Sequence, residues 1–321
     1  YGFLSENAEF AAVCRDSEFT FIGPSPEAMA LLGDKVSCKR MARKAGTPVF
    51  PGTEGEIDDI EEAISVARDI GFPVIVKAAF GGGGRGMRIV RSDDELAEAV
   101  ESAAQEARAA FGNGSVYVEK YLEKARHFEV QTIGDGRGNA VHLYERDCTS
   151  QRRHQKLVEE APAARIDPEK RDHVCDSASR LIASANYGGA ATVEFLMDHE
   201  QNFYMLEVNT RVQVEHPVTE MITGVDLVEQ MLRVAAGEKL AIKQSDIGIN
   251  GWAVESRVYA EDPYRNFLPS IGRLKRFHPP GEGKLGEGEV RMDSGVREGD
   301  APRRSRSGEH APELARDERD A

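Results

Sequence analysis

The sequence predicts a mixed fold, α/β at its start and α+β beyond it, and three observations predict it. Residues 1–50 alternate helix-period runs with a short apolar run, the pattern of an α/β unit. Residues 127–133 with 140–144, and 192–197 with the run from Phe203, are strand-like pairs joined by short polar turns and read as antiparallel hairpins. Between residues 72 and 90 a run of glycines joins two strands, the layout of a hairpin flap.

Taken in order, a helix over residues 6–15 leads to a short buried strand at 19–22, a Gly-Pro turn and two helices ending at Gly46. Asp34 is placed to cap the last of these, and Lys35 beside it is either a solvated surface lysine or one that reaches an anion. An amphipathic helix over 55–70 precedes a strand at 72–78, the loop Phe80-Gly-Gly-Gly-Gly-Arg-Gly86 and a strand at 87–90. Gly81, Gly83 and Gly86 have dinucleotide-fingerprint spacing, but that fingerprint requires a helix after the loop, and a P-loop requires Lys-Ser/Thr after its last glycine. Neither follows. What remains is backbone free for positive φ, with Arg85 inside it and Lys77 at its base, which suits a flap over phosphates or a plain flexible loop.

Ser92-Asp-Asp-Glu95 is a capping box for a helix reaching Phe111, and the strand at 116–122 carries Glu119 and Lys120 in its middle. The first hairpin runs on into residues 145–156, where Arg146, Arg152, Arg153, Lys156 and His154 stand with hardly an apolar side chain. Such a run is either a solvated face or an anion site. A helix over 168–187, the second hairpin, a helix over 226–236 and strands at 252–260, 272–277 and 290–294 complete the pattern.

With 321 residues, 40% apolar and 30% charged, the chain is long enough for two or three domains. A net charge of −14 argues against a nucleic-acid binder or a partner of anionic membranes. Four cysteines without CxxC spacing read as free thiols in a reducing compartment rather than structural zinc ligands, and without a signal-peptide or spanning pattern the expectation is cytoplasmic. The start at Tyr1, inside what reads as a loop, suggests an internal fragment. The Arg-, Glu- and Pro-rich stretch from residue 300 is expected to be disordered.

The richest stretch runs from Phe203 to Pro217. An apolar start gives way to Glu207, Asn209, Arg211, Gln213 and Glu215 at every second position, which in an extended chain share one face. A hairpin symmetric about residues 198–202 sets Glu194 opposite Glu207. Like charges across a ladder repel, so a cation between them is expected, and with Asn209 the set is the all-oxygen kind that magnesium takes.

Longer motifs narrow the reading: Tyr1-Gly-Phe-Leu-Ser-Glu-Asn7, Phe21-Ile-Gly-Pro24, Gly33-Asp-Lys-Val36, Gly81-Gly-Gly-Gly-Arg-Gly-Met-Arg88, residues 147–156 with Glu159-Glu-Ala-Pro162, and Glu207-Val-Asn-Thr-Arg-Val-Gln-Val-Glu-His-Pro-Val-Thr-Glu220. Over residues 1–299 these resemble biotin carboxylase, of the ATP-grasp superfamily. The resemblance implies an ATP-grasp fold with a glycine-rich lid, preceded by the tail of a Rossmann-like domain (residues 1–33). The ATP-grasp domain would cover 34–250, with its lid at 50–122. The start of a C-terminal domain would occupy 251–299, and the stretch 300–321 does not resemble the family.

It further implies ATP contacts by Lys35, Lys77, Gly83, Gly84, Glu119, Lys120, Leu122, His127, Gln151 and His154. Magnesium or manganese would lie on Glu194, Glu207 and Asn209. Lys156, Arg211, Gln213 and Val214 would hold bicarbonate, with Glu215 as general base and Arg291 facing the biotin ureido group. The implied reaction is carboxylation of biotin on a carrier protein or domain through carboxyphosphate, serving the carboxyltransferase of an acetyl-CoA, related acyl-CoA or pyruvate carboxylase. A homo-oligomer is implied for the full-length form. The alternatives are another ATP-grasp ligase, such as a carbamoyl-phosphate-forming one, and a nucleotide-binding fragment without catalysis. The front of the N-terminal domain and most of the C-terminal domain are expected to be missing.

Overall fold

The computed structural model describes residues 2, 4–53, 55, 57, 59–78, 87–111, 114–152, 155–285 and 288–301. The glycines of the expected lid, Gly83 and Gly84, and the basic-run residues Arg153 and His154 lie outside them, as do residues 302–321. Two compact units divide the chain, Tyr1–Ser256 and Arg257–Ala321.

The first unit opens with helices α1 (Ala8–Asp16), α2 (Pro26–Gly33) and α3 (Lys35–Ala45). Each starts where a polar side chain accepts an otherwise unpaired backbone N–H: Asn7 from Phe10, Ser25 from Ala28 and Asp34 from Ser37. Gly46 ends α3 in the left-handed conformation, φ 74°. The expected strand at 19–22 does not form. Phe19 N–H bonds back to Cys14 O at the end of α1, so it has no donor for a ladder, and its side chain is 72% exposed.

Helices α4 (Ile60–Ile70) and α5 (Asp93–Phe111) cover a three-stranded antiparallel sheet of order β2-β1-β3, built from β1 (Val74–Ala78), β2 (Met87–Val90) and β3 (Val116–Lys120). Val74, Val76, Val90, Val116 and Val118 interlock with Ile64, Ala67, Leu96 and Val100 in a core of their own.

The larger sheet is antiparallel, six-stranded and ordered β8-β7-β4-β5-β6-β9. Its strands are β4 (Arg126–Asp135), β5 (Ala140–Arg152), β6 (Gln155–Ala161), β7 (Gly188–Met197), β8 (Phe203–Asn209) and β9 (Ala253–Ser256). The basic run of residues 145–156 is therefore mostly strand, and Arg146 within it is fully buried rather than on a solvated face. One face carries Phe128, Val130, Val193, Phe195, Phe203, Met205 and Val208 against α2, α3 and α6 (Pro168–Ser184). On the other, Ile133, Leu143 and Ala190 pack with Leu227 of α8 (Leu227–Ala235). Gly134 is required where β4 passes the end of α6, since a Cβ there would lie 2.1 Å from Tyr187 O.

A bulge in β8 decides which residues face which way. Glu194 pairs with Glu207 as expected, but not by symmetry: reflection about residues 198–202 takes Glu194 to Leu206, and after Phe195 pairs with Met205 the extra residue Leu206 is what brings Glu207 opposite Glu194. Phe203, Met205, Glu207 and Asn209 all occupy odd positions and would share a face in an unbroken strand. The bulge lets the first two enter the core while Glu207 and Asn209 fall on the other side.

In the second unit the strands are short: β10 (Glu261–Asp262), β11 (Leu268–Pro269), β12 (Gly283–Leu285) and β13 (Gly288–Val290). The expected strand at 272–277 is absent among the described residues. Leu274 makes only two backbone bonds of a would-be ladder, to Asp300 O and from Gly299 N. The strands expected at 252–260 and 290–294 shrink to Ala253–Ser256 and to the end of β13 at Val290. No described helix is long and apolar enough to cross a membrane.

Candidate active site

On β4, His127, Glu129 and Gln131 alternate with the core residues Phe128 and Val130 and so lie on the face opposite α6. Glu129 pairs with Glu194 on β7 and with Arg146 on β5, and Glu194 pairs with Glu207 on β8. A transverse row thus crosses four strands as Glu207, Glu194, Glu129 and Arg146. Three neighbouring carboxylates repel, and Glu129 and Glu194 are 0% and 5% exposed.

Cations from the rest of the fold resolve this. The Lys156 ammonium, carried on β6, donates to Glu129, to Glu194 Oε1 at 3.2 Å and to Glu215 Oε1 at 2.7 Å. Arg146, 0% exposed, donates through Nη2 to Glu129 Oε2 (3.1 Å) and Gln213 Oε1 (2.9 Å), and through Nη1 to Gln131 Oε1 (2.7 Å) and Thr219 Oγ1 (2.9 Å). A guanidinium only donates and a carboxylate only accepts. Gln213 therefore has one orientation, its oxygen toward Arg146 and its Nε2 3.1 Å from Glu194 Oε1.

Burial pushes the Glu194 carboxyl up, but His127 and Lys156 outweigh it and hold the pKa down at about 2. His127 Nε2 lies 2.9 Å from Glu194 Oε2. The Gln151 amide nitrogen is 2.8 Å from Cys148 O and 2.7 Å from His127 Nδ1. Because that carbonyl can only accept, the amide nitrogen donates to Nδ1 as well, and the proton of a neutral His127 sits on Nε2, which is close to Glu194 but has no aligned hydrogen-bond acceptor. Asn209 Nδ2 completes the carboxylate's partners at 2.7 Å from Oε1.

Beyond Asn209 the expectation of one extended strand through Glu215 fails. Glu6, just before α1, accepts from Thr210 N (2.9 Å) and Arg211 Nε (3.1 Å), and the chain bends there. It then turns into α7 (His216–Thr223), with Glu215 at its N-cap position and Pro217 in its first turn. Gln213 and Glu215 reach the cluster by this fold-back, 4% and 3% exposed, whereas Val214 is 51% exposed.

A second group lies on the smaller sheet. Glu119 is bound by Lys77 at 2.5 Å and by Lys39 of α3, while Lys120 is tied to the carbonyls of Gly71 and Phe72, both at 2.9 Å. Leu122 is half-buried in the connection to β4. For Lys35 only the helical backbone is described. Arg291 lies in the second unit, where it forks onto Asp293 at 2.8 and 3.2 Å.

Among the described residues, the groupings of His, Cys, Asp and Glu that could hold a metal are His127, Glu129 and Glu194, and Glu129, Cys148 and Glu215, each with ligand atoms within 4.8 Å. The four cysteines are free, and burial lifts the Cys148 thiol well above its ordinary range, so it remains protonated. Sequence reasoning missed Glu129, Lys39 and Glu6, and it singled out Arg146 only as one of a basic run that is either a solvated face or an anion site, not as the buried partner of Glu129. For Glu129 a signal existed, because three polar residues alternating with core residues on a central strand must be buried.

Family profiles match three consecutive stretches: "Biotin carboxylase, N-terminal domain" over residues 1–29, "Carbamoyl-phosphate synthase L chain, ATP binding domain" over 34–243, and "Biotin carboxylase C-terminal domain" over 255–305. Biotin carboxylase 1 of Bacillus subtilis is 49% identical over 295 residues, which are 92% of this chain and 64% of that protein. The mitochondrial propionyl-CoA carboxylase alpha chain of Homo sapiens is 51% identical over 300 residues, 93% of this chain and 41% of that one. Among solved structures, the biotin carboxylase domain of a thermophilic 2-oxoglutarate carboxylase bound to bicarbonate superposes with a TM-score of 0.84 at 44% identity, covering 94% of this chain and 66% of that one. A biotin carboxylase–β,γ-ATP complex from Campylobacter jejuni gives 0.82 at 47% identity, with 94% and 66% covered. The chain spans less than two thirds of the length of these curated relatives. By its three consecutive profiles and these likenesses, the chain belongs to the biotin carboxylase family and has the ATP-grasp fold.

Proposed function

We propose that the chain carries the ATP- and bicarbonate-activating site of a biotin carboxylase, which in the whole protein carboxylates biotin on a carrier. One observation supports this above the others: the Lys156 ammonium held among three buried carboxylates, one of them the N-cap residue Glu215, two residues from Gln213 and four from Arg211. In this reading Arg211 binds bicarbonate. Its Nε is taken by Glu6, and among the described residues Nη2 has no protein partner, so it is available to an oxyanion.

Glu215 takes the proton of bicarbonate, whose oxygen then attacks the γ-phosphorus of ATP as the bond to ADP breaks. Lys156 keeps Glu129 and Glu194 compensated while Glu215 gains and loses that proton. Carboxyphosphate breaks down to CO2 and phosphate, phosphate accepts the N1 proton of biotin, and N1 attacks CO2. Arg291, assigned to the ureido group, must first exchange Asp293 for it.

Magnesium fits the donor set. Glu194 and Glu207 stand opposite in register and Asn209 adjoins them, giving hard oxygen ligands once the Asn209 amide turns its oxygen inward. The bound metal would supply positive charge to the phosphate oxygens. Lys77, Glu119, His127 and Gln151 are the proposed nucleotide contacts among the described residues, with Lys35, Lys120, Leu122, Gly83, Gly84 and His154 assigned by resemblance. The biotin carrier, a carboxyltransferase and an oligomeric full-length form belong to the same reading.

The test is bicarbonate-dependent ADP release by the full-length protein with free biotin. Arg211→Ala should lower kcat/KM for bicarbonate by about a hundred-fold or more. Wild-type behaviour of that variant, or no turnover, sinks the assignment. Stimulation by ammonia or glutamine but not by biotin favours a carbamoyl-phosphate-type ligase. Thermal stabilisation of this chain by MgATP without turnover favours a nucleotide-binding fragment.

A further inference from the structure

Arg211 does not stand alone. Glu6, 205 residues earlier in sequence, uses its two carboxylate oxygens on two different targets: Oε1 accepts from Thr210 N at 2.9 Å and from Thr210 Oγ1 at 3.4 Å, and Oε2 accepts from Arg211 Nε at 3.1 Å. We propose that Glu6 is the positioning residue for Arg211, a clamp that fixes the bend after β8 and the plane of the guanidinium, so that the Nη edge is presented to bicarbonate. The inference rests on the bicarbonate reading of Arg211 given above.

Three physical points carry it. First, the clamp acts on backbone and side chain together. Thr210 N–H follows directly on the last strand residue, Asn209, and holding it sets where the chain leaves the sheet. Second, a guanidinium has its five donors in one plane, so fixing Nε fixes the direction of both Nη groups, and paired recognition of a planar oxyanion depends on that direction. Third, the pair is poorly suited to a stability role. Its side chains are 41% and 32% exposed, and ion pairs at such exposure contribute little to folding.

Phe10, Phe21, Ile22, Pro24, Val212 and Met231 wall a cavity of about 170 Å³ beside the pair, leaving room for Arg211 to swing aside if it is not held. The Glu6 carboxylate thereby gives the N-terminal segment a direct hold on Arg211.

The experiment uses the full-length protein and Glu6→Gln. The amide oxygen can still accept from Thr210 N, whereas the amide nitrogen opposes Arg211 Nε, donor to donor, so the variant keeps one half of the clamp and loses the other. The expected result is a rise of about ten-fold or more in KM for bicarbonate, with KM for MgATP within two-fold of wild type. The thermal midpoint should move by less than about 3 °C. A crystal structure of the variant should show Arg211 in a different rotamer.

A bicarbonate KM within two-fold of wild type, or an equal rise in both KM values, overturns the inference. If wild type shows no bicarbonate-dependent turnover, the functional reading fails separately. The clamp is then judged on the crystal structure, where an unmoved Arg211 in Glu6→Gln overturns it.

Discussion

Lys156→Met removes the ammonium from among Glu129, Glu194 and Glu215, which are 0%, 5% and 3% exposed. Methionine keeps most of the stem's volume, so the change isolates charge from packing. Holding the Glu194 carboxyl at about 2 rather than its ordinary 4.5 corresponds to roughly 3 kcal/mol at neutral pH for that group alone. Burial opposes that lowering; His127 is its larger cause and Lys156 supplies part of it, but removing one member of a buried ion pair costs about 3–5 kcal/mol and Lys156 serves three carboxylates.

The pH dependence has a definite sign. A carboxyl whose folded pKa is depressed stabilises the protein fully above its unfolded value near 4.5, and that contribution disappears as pH falls toward about 2. The variant should therefore lose about 3–5 kcal/mol at pH 7 and distinctly less at pH 4. Urea unfolding followed by far-UV circular dichroism measures this, since the single tryptophan, Trp252, is 83% exposed and a poor reporter of the core. A loss below about 1 kcal/mol at pH 7, or the same loss at both pH values, refutes the account of the cluster.

Arg146→Lys keeps the charge but cannot span Glu129, Gln131, Gln213 and Thr219 with one ammonium, so urea unfolding should show a loss of about 2–4 kcal/mol. Glu145→Gln should behave differently. Burial first raises the Glu145 carboxyl; Ala163 N and Arg171 Nε donate to Oε1, which a glutamine retains, and only the weak Cys175 thiol donor reaches Oε2, at 4.0 Å. Stability at pH 7 should stay within about 1 kcal/mol of wild type. Because a raised folded pKa favours the protein at low pH and penalises it as pH rises through 4.5, the comparison should shift toward wild type between pH 7 and pH 4, by the same unfolding assay. Deleting Leu206 removes the extra residue, so Glu207 follows Met205 directly and stays with Asn209 on the face opposite Val208; MgATP should still raise the thermal midpoint, and loss of that shift would refute the bulge assignment.

The hairpin of β7 and β8 was legible from its polar turn, which sets the register as far as Phe195–Met205; the pairing of Glu194 with Glu207 depends on the bulge at Leu206, which turn length does not encode. The basic run was ambiguous for a physical reason: Arg146 is fully buried, yet nothing local distinguishes a buried arginine from a solvated one, since its partners come from Glu129, Gln131, Gln213 and Thr219. The extended alternation through Glu215 misled because period-two polar spacing also occurs where a chain bends, and the bend is imposed by Glu6 from far away in sequence. The short strands of the second unit failed for lack of ladder partners, a tertiary property that propensity does not encode.

The smaller sheet with α4 and α5 has a hydrophobic core separate from the one beneath the six-stranded sheet, and the ion pair from Lys39 of α3 to Glu119 of β3 is one of the ties across them. Separate cores allow separate opening. Amide hydrogen exchange should thus fall into two cooperative tiers, with α4, α5 and β1–β3 exchanging at a lower free energy than β4, β5 and β7. A mutation at Lys39 should lower the protection of the first tier without touching the second, making that segment a cooperative unit whose opening is set partly by one lysine.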